Sequence, residues 1–375
     1  MMIYLDNNAT TQPSPRVVDA MLPYLTDCFF NPSSSNTAFT GVDKARDQAA
    51  ISIAQLLNAE GPERFVFTSG ATESNNWVFH DLLTKKDRGR IIVSAIEHAS
   101  VFEAASMLRN YKFEVVEAPV DREGLVILDE LAEILSNDTL LVSIMAANNE
   151  TGVLQPLEKI GNIIRAQSPA ALFHTDATQA IGKISVDLQG LWSEVDLLSF
   201  SAHKFHGPKG IGGLYIREAL KIEPMLRGGG QERGLRSGTT NTPALAGLAA
   251  AVLDIGHVDQ ERIQRQRDEF EKMLIDEFPD VVIHSRSVHR LPNTSMFSCY
   301  GMIGEEVAQI LAADGIIVGA GSACSSGAGH PSKTMLAMGV PYDLAEGSLR
   351  VSICADTPSS FAERFIESIS RRIRH

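Results

Sequence analysis

The chain is 375 residues long, with 44% hydrophobic and 21% charged residues and a formal net charge of −13. That length can bury one large core plus a smaller one, and the acidic balance excludes a constitutive nucleic-acid binder, whose surface must attract phosphate. The first residues, MMIYLDNNATT, contain no basic segment followed by an apolar one, and no apolar run is long enough to span a bilayer. A soluble, cytoplasmic protein with no direct nucleic-acid or membrane partner is therefore expected.

From residue 64 to 217, short apolar runs alternate with helical patterns. RFVFTS, RIIVSAI, FEVVEAPV, LLVSIMAA, ALFHTD, VDLLSFS and GGLYIR predict strands, while LDELAEIL and PLEKIGNIIRAQ between them carry apolar residues at helical spacing. This alternation predicts an α/β layer with a mostly parallel sheet covered on both faces. After the glycine-rich RGGGQERGLRSGT, the segments ALAGLAAAVLDI and DQERIQRQRDEFEKMLIDEF predict one or two long helices. Beyond Pro279, VVIHS, TSMFSCY and SLRVSIC predict strands, with EEVAQILAAD a helix between them. The expected division is a large domain of residues 14–258 and a smaller α+β domain of residues 1–13 with 259–375.

In an open α/β sheet the ligand lies beyond the carboxyl ends of the strands. Five such ends bear residues of interest. GATESNN opens a helix with glycine and small residues, offering backbone N–H groups at Ala71 and the Thr72 hydroxyl to an anion such as phosphate. His98, after RIIVSAI, suits either a helix cap or an acid–base group; a turn alone would explain the asparagines of NNETG, among them Asn149. Asp176 after ALFHT could cap the next helix, or keep a pyridine nitrogen protonated as pyridoxal phosphate requires. The last end carries Ser201, His203 and Lys204; a lysine there is by default solvated, but one held in a cleft forms a Schiff base with an aldehyde. Jointly the five ends supply a phosphate cradle, an aromatic ring, an amide, a carboxylate and an aldehyde-reactive amine, a complete set of contacts for pyridoxal 5′-phosphate.

The four cysteines form no C-x-x-C pair, so neither a disulfide framework nor a metal site is expected. Cys324 lies in GSACSSG, a loop composition that predicts an accessible thiol. Cys299 and Cys354 sit in strand-like runs and predict packed thiols, and Cys28 is ambiguous. GPKGIGG and RGGGQERG lack the spacing of a dinucleotide fingerprint, and no phosphate-binding G-x-x-x-x-G-K-[ST] occurs.

In this order the motifs GATESNN, EH, NNE-x-G, DA-x-Q, SFS-x-HK, RSGT and GSACSSG make the chain resemble the cysteine desulfurases of the NifS/IscS type. These belong to the class V aminotransferase group of fold-type I pyridoxal phosphate enzymes, and the resemblance runs from YLDNNATT to GSLRVS. It implies that fold, with a seven-stranded sheet in the large domain, and conversion of L-cysteine to L-alanine with the sulfur left as a persulfide on Cys324. It also implies a cofactor-bound Lys204, Asp176 at the pyridine nitrogen, and Gln179 and Asn149 at the ring oxygen or substrate. His98 would lie over the ring, with Thr72, Ser201 and His203 at the phosphate and Thr239 reaching it from the second subunit of a homodimer. Arg350, with Asn31 nearby, would bind the substrate carboxylate. A sulfur-acceptor protein is implied, for iron–sulfur cluster assembly, tRNA thiolation or DNA phosphorothioation.

The sequence departs from the family at Asn36, where a histidine is usual, and at Cys354 and Ala355, where glycine and arginine are usual. GSACSSG argues against a transaminase, which needs no such thiol. A selenocysteine lyase shares the same frame, and a non-catalytic scaffold would be marked by loss of Lys204, Asp176 or Cys324, all of which are present.

Overall fold

The computed structural model describes residues 2–217, 220–320 and 331–373, the side chains of Ala38 and of residues 371–373 excepted. Cys324 lies outside the described residues. Twelve strands form among them: β1 (Ile3–Leu5), β2 (Phe65–Thr68), β3 (Gly89–Ser94), β4 (Phe113–Ala118), β5 (Thr139–Ser143), β6 (Leu172–Asp176), β7 (Leu197–Ser201), β8 (Gly212–Ile216), β9 (Val282–Ile283), β10 (Thr294–Ser298), β11 (Ile316–Ala320) and β12 (Ser348–Ser352).

The seven expected strands assemble into one sheet in the order β2-β8-β7-β6-β5-β3-β4. Four of its pairings are parallel, and β8 runs antiparallel to both β2 and β7. The sheet is apolar on both faces because successive side chains point to opposite sides. Leu141 and Leu197 join the cluster beneath the helices Ala71–Lys85 and Ala99–Leu108, with Trp77, Val101 and Leu108. Val142 and Leu198 join the opposite cluster, with Ile53, Ile164 and Leu248 of the helices Lys44–Leu56, Leu157–Gln167 and Thr242–Ile255. This two-sided burial holds the carboxyl ends of β2, β3, β5, β6 and β7 along one edge of the layer.

The segment expected as one or two helices is two, Thr242–Ile255 and Gln260–Glu277, each opened by a side-chain cap: Asn241 accepts from Ala244 N–H and Asp259 from Arg262 N–H. The later strands form a second, five-stranded sheet in the order β1-β11-β12-β10-β9. It packs on an aromatic cluster in which the rings of Phe270 and Phe365 meet edge to face at 5.0 Å. β1 and β11, neither of them expected, pair in parallel through Ile3↔Ile316 and Leu5↔Val318.

Candidate active site

A cleft of about 330 Å³ opens where the carboxyl ends of the large sheet meet the chain's first residues and β12. It is lined by Ala71, Thr72, His98, Asn149, Asp176, Gln179, Ser201, His203, Lys204 and Arg350, which come together from widely separated segments.

One end of the cleft is the start of the helix Ala71–Lys85. The first amides of a helix have no intrahelical acceptor and carry a partial positive charge; here Ser201 Oγ takes the N–H of Ala71 at 2.7 Å. Gly70, the cap, has φ +153°, and a Cβ there would stand 3.2 Å from Ser201 Oγ. The backbone thus forms a concavity that a side chain would fill. Gly212 permits it, since its Cα lies where a Cβ would come 2.7 Å from Gly70 Cα and 2.2 Å from the Phe200 carbonyl. His203 faces this end with Nδ1 3.1 Å from Thr10 Oγ1, and burial with three neighbouring lysines lowers its pKa to about 4, so it is neutral at pH 7.

At the centre, the buried carboxylate of Asp176 accepts from Asn75 Nδ2 at 2.8 Å and from Thr178 N at 2.9 Å. The second bond is the capping-type turn that the sequence allowed; Asp176 has no cationic side chain in ion-pair contact among the described residues. Asn75 Nδ2 also donates to Ser100 Oγ at 2.9 Å, and Ser100 presents both its hydroxyl (2.9 Å) and its N–H (3.1 Å) to His98 Nδ1. Since a backbone N–H can only donate, Nδ1 is the acceptor and the ring proton sits on Nε2. Burial lowers the His98 pKa against the opposing pull of Asp176, which favours the neutral ring. His98 therefore caps its helix and lines the cleft at once.

Lys204 Nζ donates to the carbonyls of Asn8 and Ala9, at 2.7 and 2.8 Å. Asn8 was not singled out by sequence, yet it gathers much of the floor. Its Nδ2 donates to the Asn149 carbonyl (3.1 Å) and Thr294 Oγ1 (2.8 Å), and its backbone carbonyl accepts from Gln179 Nε2 (2.9 Å). Arg350, from β12, donates through Nη1 to the Asn149 carbonyl at 3.0 Å and through Nη2 to Asp6, while its Nε is buried with no partner among the described residues. Thr178 Oγ1, at the same cleft, is likewise buried with no partner among the described residues.

Behind the cleft, Glu97 Oε1 accepts from Ser94 Oγ (2.7 Å) and Met145 N (2.6 Å), and burial pushes this carboxyl up to about 8. Asn148 makes the expected turn, its Oδ1 accepting from Glu150 N and Thr151 N, both at 2.9 Å. Sequence reasoning passed over Asn8, Asn75, Glu97, Ser100 and Thr178; GATESNN and EH contained two of them without indicating their direction.

Two expected residues are not brought to this cleft. Asn31 is exposed, its Oδ1 accepting from Ser33 N at 2.9 Å, and Thr239 is exposed in a separate depression with Glu232 and Arg236. Of the other cysteines, Cys28, Cys299 and Cys354 are each half-buried, and burial pushes the Cys299 thiol up to about 11.

The residues present fit pyridoxal phosphate: a backbone cradle for an anion, a buried acid in no ion pair among the described residues, and a lysine and an arginine lining the same cleft. A model of the aminotransferase class V family matches residues 3–365. The chain is 41% identical over 370 residues to a cysteine desulfurase of Trichormus azollae, spanning 98% of this chain and 91% of that protein. It is 40% identical over 376 residues to the cysteine desulfurase IscS of Methanosarcina thermophila, again 98% and 91%. Among solved structures, a NifS-like protein superposes with a TM-score of 0.91 at 36% identity, covering 100% of both chains. SspA in complex with cysteine superposes with a TM-score of 0.83 at 34% identity, covering 94% of this chain and 99% of that one.

Proposed function

Because this chain belongs to the class V aminotransferase family and is pyridoxal phosphate-dependent, we propose that it is a cysteine desulfurase that converts L-cysteine to L-alanine and passes the sulfur to an acceptor protein. The observation that carries the reading is the convergence in one cleft of Lys204, Arg350 and a buried Asp176 that forms no ion pair among the described residues.

Pyridoxal phosphate, when bound, supplies an electron sink for the charge that develops at the substrate's Cα. Ala71, Thr72, Ser201 and His203 hold its phosphate, and Thr239 of a second subunit completes that contact in a homodimer. Asp176, steadied by Asn75 and the Thr178 amide, keeps a proton on the pyridine nitrogen. Arg350 would take the substrate carboxylate beside Asn149, because a planar guanidinium held by Asp6 and the Asn149 carbonyl keeps its other N–H groups in fixed directions. Lys204 Nζ would take the proton from Cα and return it, with His98 beside it as a neutral ring carrying its proton on Nε2.

Cys324, as thiolate, attacks the substrate sulfur. A sulfur–sulfur bond forms as the Cβ–S bond breaks; the electron pair of the broken bond stays on carbon, which is reduced and leaves as alanine after protonation. The sulfur remains on Cys324 as a persulfide. We read the protein as a cytoplasmic homodimer with domains at residues 14–258 and at 1–13 with 259–375. Support for the division comes from the second sheet's own apolar cluster around Phe270, Phe297 and Phe365, and for the dimer from exposed Phe29, Phe30 and Phe39. No helix among the described residues is long and apolar enough to cross a membrane.

The test is the visible spectrum of the purified protein before and after L-cysteine, with alanine and sulfide assayed in the same tube. Wild type should be yellow, shift on cysteine and release both products. Lys204→Ala should lose the absorbance of lysine-bound cofactor, whereas Cys324→Ser should keep the colour and the shift but release no sulfide. Full turnover by Cys324→Ser would overturn the persulfide assignment, and a yellow wild-type protein yielding neither product would overturn the activity.

A further inference from the structure

Lys183 is a buried amine that the reaction above does not use. Its side chain sits under the cleft floor, 8% exposed, with no carboxylate in ion-pair contact among the described residues. Its Nζ donates instead to two neutral oxygens, Asn8 Oδ1 at 3.0 Å and Gln179 Oε1. Burying an ammonium without an opposite charge is costly. Here Lys204 and Arg350 add repulsion, and together with burial they hold the Lys183 pKa well below its ordinary value. Stability of the empty protein does not explain a lysine at this position.

The geometry of Gln179 does. A glutamine amide is nearly symmetric in shape, so either its oxygen or its NH2 can face a ligand unless a partner decides. Lysine offers donors, and the end of Gln179 it meets must be the oxygen. The other end, Nε2, gives one hydrogen to the Asn8 carbonyl at 2.9 Å, which leaves one hydrogen for the cleft that Gln179 lines. Asn8 braces the arrangement, its Oδ1 accepting from Asn293 Nδ2 (3.0 Å) as well as from Lys183.

We propose that Lys183 is a positioning residue: it pins the Gln179 oxygen inward, presents the Gln179 N–H to the anionic ring oxygen of pyridoxal phosphate, and finds in that anion the counter-charge missing from the empty site. The inference rests on the reading that Gln179 faces the cofactor ring, and it adds to that reading the residue that sets the direction of the amide.

The test compares wild type, Lys183→Met, Gln179→Ala and the double variant, each as apoprotein and after reloading. Melting temperature, pyridoxal phosphate dissociation constant and visible absorbance maximum are read. Lys183→Met should leave the apoprotein at least as heat-stable as wild type, narrow the gain in melting temperature on loading, raise the dissociation constant on the order of tenfold, and displace the absorbance maximum. Gln179→Ala should displace it likewise, with no further change in the double variant. Lys183→Gln, which keeps a donor toward Gln179 but carries no charge, should restore the absorbance maximum and only part of the affinity, and serves as the comparison if Lys183→Met does not fold.

An apoprotein destabilised as much as the loaded form, with dissociation constant and absorbance unchanged, would reduce Lys183 to packing and overturn the proposal alone. Unchanged affinity and absorbance in Gln179→Ala would overturn the placement of Gln179 against the ring, and the proposal with it.

Discussion

Replacing Glu97 with glutamine should change how stability depends on pH more than stability itself. The carboxyl is buried, Oε1 accepts from Ser94 and Met145, and Oε2 is buried with no partner among the described residues. Burial, with the charge of Asp176 adding to it, lifts the pKa from 4.5 to about 8. Between those values the folded protein keeps a proton that the unfolded chain has released, so the folded state binds more protons and stability declines as pH rises. The contribution is complete below pH 4.5 and disappears as pH passes 8, with a slope approaching about 1.4 kcal/mol per pH unit. Glutamine retains an oxygen for Ser94 and Met145 and titrates nowhere, so it removes this slope. From pH 5.5 to 7.5 the stability of wild type relative to Glu97→Gln should fall by about 2.5 kcal/mol. Urea unfolding of the loaded protein at constant ionic strength, at several pH values across that range, measures the difference. The offset at any one pH mixes in the buried NH2 of the variant and is uninformative; the slope is not. Curves that run parallel within about 0.5 kcal/mol would refute the claim that Glu97 is protonated in the fold.

Gly212→Ala would drive a methyl to 2.2 Å from the Phe200 carbonyl and 2.7 Å from Gly70 Cα. Because β7, β8 and the phosphate end of the cleft must all shift to admit it, loss of pyridoxal phosphate retention on gel filtration is expected, and a variant that stays yellow with wild-type affinity would contradict the close approach. Arg350→Lys replaces a fork that meets Asp6 and the Asn149 carbonyl together with a single point charge. Steady-state assays should show KM for cysteine raised roughly 100-fold with a smaller change in kcat; a large loss of kcat at unchanged KM would move Arg350 out of carboxylate binding.

The large sheet was legible because each strand is an apolar run closed by a polar or small residue, and the same punctuation exposed Asp176, Ser201, His203 and Lys204. β1 and β11 left no such trace. Three residues, Ile3–Leu5, are too short to show a period, and their place in the second sheet depends on a partner more than 300 residues away. The floor of the cleft was illegible for a similar reason: Asn8 acts through its backbone carbonyl as much as its side chain, and no residue type announces that. Ser100 and Asn75 are ordinary helix residues until the helices Ala71–Lys85 and Ala99–Leu108 are laid side by side. Asn31 and Thr239 followed from resemblance alone, and the fold of one chain gives them no contact with the Lys204 cleft.

The threading of the chain's first ten residues beneath its last strand has a consequence for biosynthesis. Asn8 N–H binds Ser352 Oγ, Asn7 binds the Ser352 carbonyl, and Asp6 binds Arg350, so residues 6–8 wait for a strand whose Ser352 follows Asn8 by 344 residues. The seven-stranded layer can form while the chain is still being made, since its strands end at residue 216. The carbonyls that hold Lys204 gain their final support only once β12 has been made and has left the ribosome. A chain that stops short of β12 would therefore own a folded layer and a reactive lysine without a finished cleft, and cofactor capture becomes a report that β12 has been made and has docked.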